Sequence, residues 1–280
     1  MWQIPIFGGT TTLIFHIMRV SIIQSSLNWE APEQNRAMFS EKLASLAGKT
    51  DLLVLPEMFT TGFSMNTEKL AEQMNGPTMN WLAEMARKTD AVITGSFICK
   101  ENGQYYNRLI FMRPDGNFEH YDKKHLFTLA GENEHYTSGK NKIIIEWKGW
   151  RICPLICYDL RFPAWARQPV SKTLTPENSP YDLLLYVANW PARRAHHWKA
   201  LLTARAIENQ CFTIGVNIFG TDGNGLEYSG DSAVIDFGGH VVCQISGQED
   251  TVTTELSLAE LRHYRQQLPF LQDADFFTLS

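Results

Sequence analysis

Several familiar signatures are missing from this 280-residue chain, and each absence removes a class of protein. There is no Cys-x-x-Cys pair and no His-Glu-x-x-His pattern, so the common zinc-site spacings are not present. His196 and His197 are adjacent, and neighbours on a helix point to different faces, so no metal is expected. The five cysteines (Cys99, Cys153, Cys157, Cys211 and Cys243) are an odd number scattered through apolar runs. Cys153 and Cys157 lie four residues apart on one expected strand, roughly 13 Å, which is beyond disulfide reach. Free thiols in a reducing, cytoplasmic setting follow, most of them packing as small hydrophobes. Lysine and arginine never gather beyond pairs such as Lys123-Lys124 and Arg193-Arg194, and the net charge is −5, which argues against nucleic acid as a partner. No long hydrophobic run is present either. Met1 to Ile17 is rather apolar, but it is short, has no basic lead and is broken by Gly8-Gly9 and a threonine run, so no membrane partner is expected. Residues 1–17 read as an N-terminal extension ahead of a strand opening at Met18. With no linker and no internal repeat, a single domain is expected over 18–271, followed by a tail at 272–280.

The residues that are present suit a soluble α/β protein: 44% are hydrophobic and 20% charged. Strand-like runs fall at 19–24, 51–56, 91–97, 107–113, 117–122, 151–157, 182–188, 212–217, 232–237, 240–245 and 251–255. Helical spacing falls at 33–47, closed by Gly48, at 78–89 and at 195–209, and Ser257-Leu-Ala-Glu260 has the form of a capping box opening a last helix. Pro114-Asp-Gly116 and Phe237-Gly-Gly239 mark hairpins, whereas Pro169 to Pro180 reads as a surface loop. Mixed βα units and hairpins with so many strands imply two sheets packed face to face, with helices outside.

Three of the expected strands end abruptly at polar residues. Leu52-Leu-Val-Leu-Pro-Glu57 delivers a carboxylate, Phe118-Glu-His-Tyr-Asp-Lys123 an amine, and Arg151-Ile-Cys-Pro-Leu-Ile-Cys157 a thiol. Open α/β sheets place their sites at such rims. A thiol needs a base to become a nucleophile, and the anion formed on its target needs a positive partner. Glu57, Lys123 and Cys157 supply these parts. Taken singly, each has an ordinary structural reading; taken together, they form a kit for nucleophilic acyl transfer.

Their contexts strengthen that reading. Pro56-Glu57-Met-Phe-Thr-Thr-Gly-Phe63, Tyr121-Asp-Lys123-Lys-His-Leu-Phe127 and Cys157-Tyr-Asp-Leu-Arg-Phe-Pro163 occur in this order, followed by Val187-Ala-Asn189-Trp-Pro191, Arg205-Ala-Ile-Glu208-Asn209 and Gly230-Asp-Ser232. From Met18 to Asp273 the chain resembles the nitrilase superfamily of carbon–nitrogen hydrolases. The resemblance implies a four-layer α-β-β-α sandwich, a homodimer, no cofactor, and a Glu-Lys-Cys triad carried by Glu57, Lys123 and Cys157. It further implies an assisting glutamate seven residues before a glycine, which selects Glu132 ahead of Gly139 over Glu134, and an oxyanion donor in the backbone N–H of Tyr158.

Cys157-Tyr-Asp-Leu-Arg-Phe-Pro looks like the omega-amidase group of that superfamily, although Ala164 stands where a Glu is common and the Pro169–Pro180 loop is longer than usual. The resemblance implies hydrolysis of the terminal amide of 2-oxo-dicarboxylic acid monoamides, with an N-carbamoyl or other aliphatic amide hydrolase as the alternative. A non-catalytic binding protein on the same fold is a further reading. A small-molecule amide carrying a free carboxylate calls for cations in the pocket. Arg193 and Arg194 are the candidates, Arg161 being read as a structural partner of Glu208. Phe63, Asn189 and Trp190 are candidates to line the pocket, and His125 to brace the lysine loop.

Overall fold

The computed structural model describes residues 16–168, 175, 178–275 and 277–279. The expected 1–17 extension therefore lies outside the described residues up to position 15, and so does most of the Pro169–Pro180 loop.

Two sheets stack face to face. The first takes β1 (Ile17–Gln24), β2 (Leu52–Val54), β3 (Val92–Glu101), β4 (Gln104–Met112) and β5 (Phe118–Asp122). The second takes β6 (Ile145–Trp147), β7 (Trp150–Ile156), β8 (Leu183–Val187), β9 (Phe212–Val216), β10 (Phe219–Thr221), β11 (Glu227–Ile235) and β12 (Val241–Ser246). The chain then returns through β13 (Asp250–Ser257) to pair antiparallel with β1, giving the order β13-β1-β2-β3-β4-β5 in the first sheet. In the second sheet β7, β8 and β9 run parallel at the centre, flanked by the antiparallel β6 and β11.

The helices cover both outer faces. α1 (Pro32–Ala44) and α3 (Pro77–Thr89) lie on the first sheet, with the short α2 (Thr67–Leu70) between them in sequence. α4 (Glu132–His135) and α5 (Pro163–Ala166) are single turns, whereas α6 (Ala195–Asn209) and α7 (Leu258–Gln267) cover the second sheet. This is the four-layer α-β-β-α sandwich expected from the motifs. Among the described residues no helix is long and apolar enough to cross a membrane.

Strand alternation divides the core. Leu52 and Val54 of β2, and Leu109 and Phe111 of β4, face inward with Ile152, Ile156 and Leu185 of the second sheet. Their neighbours Leu53, Leu55, Ile110 and Met112 face outward against Phe39, Leu43, Leu82 and Met85 of the helices. A period of two is what a sheet buried on both faces requires.

The ends follow local chemistry. Pro32 opens α1, where its missing N–H costs nothing, and the Ser257 hydroxyl accepts from Glu260 N at 3.3 Å to cap α7. α1 ends at Ala44, three residues short of the expected boundary, and Gly48 closes the turn that follows at φ +70°. Asn102-Gly103, both at positive φ, turn β3 into β4, a hairpin not anticipated from the sequence.

Candidate active site

Glu57 follows β2 in the first sheet, Lys123 follows β5, and Cys157 follows β7 in the second, so the three meet where the two sheets face each other. The Glu57 carboxylate is completely buried, as is the Lys123 ammonium. Lys123 Nζ lies 2.9 Å from Glu57 Oε1 and 2.9 Å from each oxygen of Glu132. Glu132, which the family resemblance implied over Glu134, stands against the lysine, while Glu134 is exposed. Burial disfavours the ammonium, but Glu132 and Glu57 outweigh that cost and hold Lys123 protonated well above the usual lysine range. Burial also raises the Glu132 carboxyl; Lys123 opposes the shift and the Glu57 charge adds to it.

The reason for Gly139 is steric. Lys123 is fixed by its N–H to Asn107 O at 3.0 Å and by Gly139 N to its own carbonyl at 2.8 Å. A Cβ on Gly139 would sit 2.0 Å from Asp122 O, so no larger residue fits there.

Cys157 has φ +43°, left-handed backbone for a residue that is not glycine. The turn Cys157–Arg161 that it opens is held by Asp159, which is fully buried. Asp159 accepts from Ile156 N at 3.0 Å, Tyr121 Oη at 2.8 Å and His125 N at 2.9 Å, and its Oδ1 lies 2.7 Å from His125 Nδ1. The His125 ring also stacks on Phe162 with centroids 3.9 Å apart. His125 therefore ties the lysine loop to the cysteine turn. Burial, then the Glu57 charge, push the Cys157 thiol well above its ordinary value, with Lys123 opposing. The resting group is a thiol beside a carboxylate. The other cysteines lack such a setting: burial pushes Cys99 up to about 11 and Cys153 and Cys211 up to about 12.

Asn189, just beyond β8, binds the carboxylate from the other side. Its backbone N–H donates to Glu57 Oε2 at 2.7 Å and its side-chain Nδ2 to the Glu57 carbonyl at 2.6 Å, which joins the two sheets at the site. Asn107 was not singled out from the sequence, yet its Nδ2 donates to Glu57 Oε1 at 2.8 Å and approaches Glu132 Oε1 at 3.4 Å. The available signal was a polar residue in phase with the inward-facing Leu109 and Phe111.

A cavity of about 520 Å³ opens onto Lys123 and Cys157 and is lined by Phe63, Tyr158, Asn189 and Trp190, all candidates from the sequence. Phe63 lies 5.1 Å from Lys123 Nζ, ring centroid to nitrogen. Arg161, Arg193 and Arg194 line the same cavity. The expected Arg161–Glu208 pair does not form, because Glu208 is taken by Arg205 at 3.0 Å on its own helix. Arg161 instead lies over the Trp190 ring at 4.7 Å and 3.2 Å from His197 Nδ1. Among the described residues, no carboxylate forms an ion pair with Arg161, Arg193 or Arg194. Partial burial and the charges of Arg193 and Arg161 lower the Arg194 pKa from its usual value.

The fold and this centre define a class: an α-β-β-α sandwich with a thiol, two carboxylates and an ammonium converging between its sheets. The carbon–nitrogen hydrolase family profile matches residues 19–266, and the chain belongs to that family. It is 43% identical to omega-amidase YafV of Escherichia coli strain K12 over 265 residues, 94% of this chain and 98% of that one. It is 34% identical to 2-oxoglutaramate amidase of Bacillus subtilis strain 168 over 260 residues, 91% of this chain and 96% of that one. The crystal structure of XC1258 from Xanthomonas campestris, a CN-hydrolase superfamily protein with an arsenic adduct in its active site, superposes with a TM-score of 0.92. It is 46% identical, covering 95% of this chain and all of that one.

Proposed function

We propose that the chain is an omega-amidase, hydrolysing the terminal amide of a 2-oxo-dicarboxylic acid monoamide such as 2-oxoglutaramate to the dicarboxylate and ammonia. The observation that carries this reading is the meeting of Glu57, Lys123, Glu132 and Cys157, with Lys123 and Cys157 opening onto a cavity lined by three arginines that form no carboxylate ion pair among the described residues. The names of the two relatives point to the same chemistry.

Glu57 takes the Cys157 proton as the sulfur attacks the amide carbonyl carbon, and the carbonyl π electrons move onto oxygen. That oxyanion is met by Lys123 and the backbone N–H of Tyr158; removing one such donor costs about 3 kcal/mol in comparable sites. An ammonium has three N–H donors. One can serve Glu57 and one can be shared by the Glu132 oxygens, which leaves the third for the oxyanion. As the carbonyl re-forms, the C–N bond breaks, and the nitrogen leaves as ammonia with the proton held by Glu57. Water then attacks the thioester, giving its proton to Glu57, which returns it to the departing sulfur. Glu132 keeps Lys123 charged and oriented.

Arg193 or Arg194 meets the substrate carboxylate, while Phe63 and Trp190 shape the space around the chain of the acid. A cytoplasmic homodimer suits the free thiols and the family resemblance.

The test is ammonia release from 2-oxoglutaramate, an N-carbamoyl amine and a neutral aliphatic amide under the same conditions. Preference for the oxo-acid amide by at least tenfold in kcat/KM is expected. Preference for either of the others would move the function to another branch of the family.

A further inference from the structure

Glu57 is asked to accept a proton while surrounded by donors, and the two oxygens of its carboxylate are not equivalent. Oε1 receives two hydrogen bonds, from Lys123 Nζ at 2.9 Å and Asn107 Nδ2 at 2.8 Å. Oε2 receives one close bond, from Asn189 N at 2.7 Å, with Asn189 Nδ2 only at 3.5 Å. A carboxylate oxygen offers about two lone-pair directions, so Oε1 is saturated and Oε2 has one left. Asn107 makes the difference. It is fully buried, its backbone carbonyl holds Lys123 N at 3.0 Å, and its own Oδ1 has no hydrogen-bond partner among the described residues. Such an orphan is costly in a core, since leaving a buried acceptor unmade forfeits its solvation. A plain core position would be filled by an apolar residue, as Leu109 and Phe111 fill the next inward-facing positions of the same strand.

We propose that Asn107 is a positioning residue of the reaction: its amide, donating to Oε1 of Glu57 and toward Oε1 of Glu132, holds the two carboxylates about Lys123 and reserves Oε2 of Glu57 as the oxygen that exchanges its proton with Cys157. The inference rests on the acyl-transfer reading above but not on the identity of the amide. In each half-reaction one proton moves between Oε2 and sulfur or nitrogen, and Oε1 stays hydrogen-bonded to Lys123 and Asn107 throughout. Asn107 touches neither substrate nor sulfur in this scheme. The ionisable groups around Glu57 are Lys123, Glu132 and Cys157, with Tyr136 and Tyr228 nearby. Asn107 is the neutral donor that steadies the negative charge among them.

The experiment compares Asn107→Leu and the isosteric Asn107→Asp with wild type. Ammonia release from 2-oxoglutaramate is followed across pH, iodoacetamide alkylation of Cys157 is followed by peptide mass spectrometry, and the melting temperature is recorded. Losing the donor should cut kcat roughly 10- to 100-fold, the range for one lost hydrogen bond to a charged group, with KM changed less than threefold. The acid limb of the pH profile should move upward, and further for Asp, which adds a third carboxylate. The alkylation profile should shift the same way, and this readout remains valid even if 2-oxoglutaramate is not a substrate. Folded variants with an unmoved acid limb would overturn the proposal. So would full activity of Asn107→Asp, because a volume-filling role survives that change. Loss of the fold in both variants would make Asn107 structural and would overturn it equally.

Discussion

Replacing Lys123 by Met removes the one cation between two fully buried carboxylates while keeping a side chain of similar length. Three contacts of 2.9 Å are lost, one to Glu57 and two to Glu132. Removing one partner of a buried ion pair costs about 3–5 kcal/mol, because an uncompensated charge is left behind. For a chain of this size that corresponds to a melting temperature lower by roughly 5–9 °C. The cost should depend on pH. Without Lys123, one carboxyl of the pair has its folded-state pKa raised above its unfolded value, as burial already does to Glu132. The folded state then binds more protons than the unfolded one. Stability is therefore retained below the ordinary glutamate range and lost as pH rises through it toward the raised value. Thermal melts of Lys123→Met from pH 4 to pH 8 should diverge progressively from wild type. Activity on 2-oxoglutaramate should fall by at least about 100-fold, the loss for one oxyanion donor, with the loss of the neutralising charge beside Glu57 adding to it. A variant as stable as wild type at pH 8, with turnover within tenfold, would refute the reasoning.

Further outcomes follow from other contacts. Arg193→Gln or Arg194→Gln should raise KM roughly 10- to 100-fold for 2-oxoglutaramate and leave a neutral amide within twofold; equal effects on both would remove the carboxylate role. Asp159→Ala leaves Ile156 N, Tyr121 Oη and His125 without their shared acceptor, so it should destabilise by about 1–3 kcal/mol or more in urea unfolding and slow turnover by displacing Cys157. Arg265→Met frees Asp182 Oδ1, Gln210 O and Tyr181 O at the base of α7 and should cost about 3 kcal/mol, with turnover by the folded enzyme unchanged. The Cys157 thiol is raised by burial and by Glu57, so iodoacetamide should alkylate it slowly at neutral pH and faster as pH rises; a plateau of reactivity below pH 6 would indicate a standing thiolate instead.

What could be read from the sequence depended on how far each feature is written locally. Glu57 and Cys157 each end an apolar run, so a change of chemistry at a strand end announced them; Lys123 ends a strand of mixed residues, and the order of the three motifs tied it to the other two. Glu132 came from the family resemblance, through its count back from Gly139, a glycine where the Asp122 carbonyl leaves no room for a side chain. Asn107 was hidden because the 107–113 run reads as a strand whichever face its amide takes, and only the meeting of β4 with Glu57 after β2 and with Glu132 of α4 gives it two carboxylates. The Arg161–Glu208 pair failed for a similar reason. Sequence places both among charged partners, but Arg205 is three residues from Glu208 on one helix and takes it first, leaving Arg161 to Trp190 and the cavity. β6 and β10 are three residues long, too short to show an alternation, and exist because neighbouring strands pair with them. The Asn102-Gly103 turn, by contrast, was written locally and was passed over within a longer polar stretch.

The most direct measurement is ammonia release from 2-oxoglutaramate by wild type and Cys157→Ala side by side, with matched melting curves. Cys157 is buried and touches the Asn189 carbonyl at 4.0 Å, so losing one sulfur should leave the fold intact. The account predicts robust release by wild type and none above background by the folded variant. Turnover that survives in Cys157→Ala would contradict it, because among the described residues Cys157 is the one thiol lining the cavity.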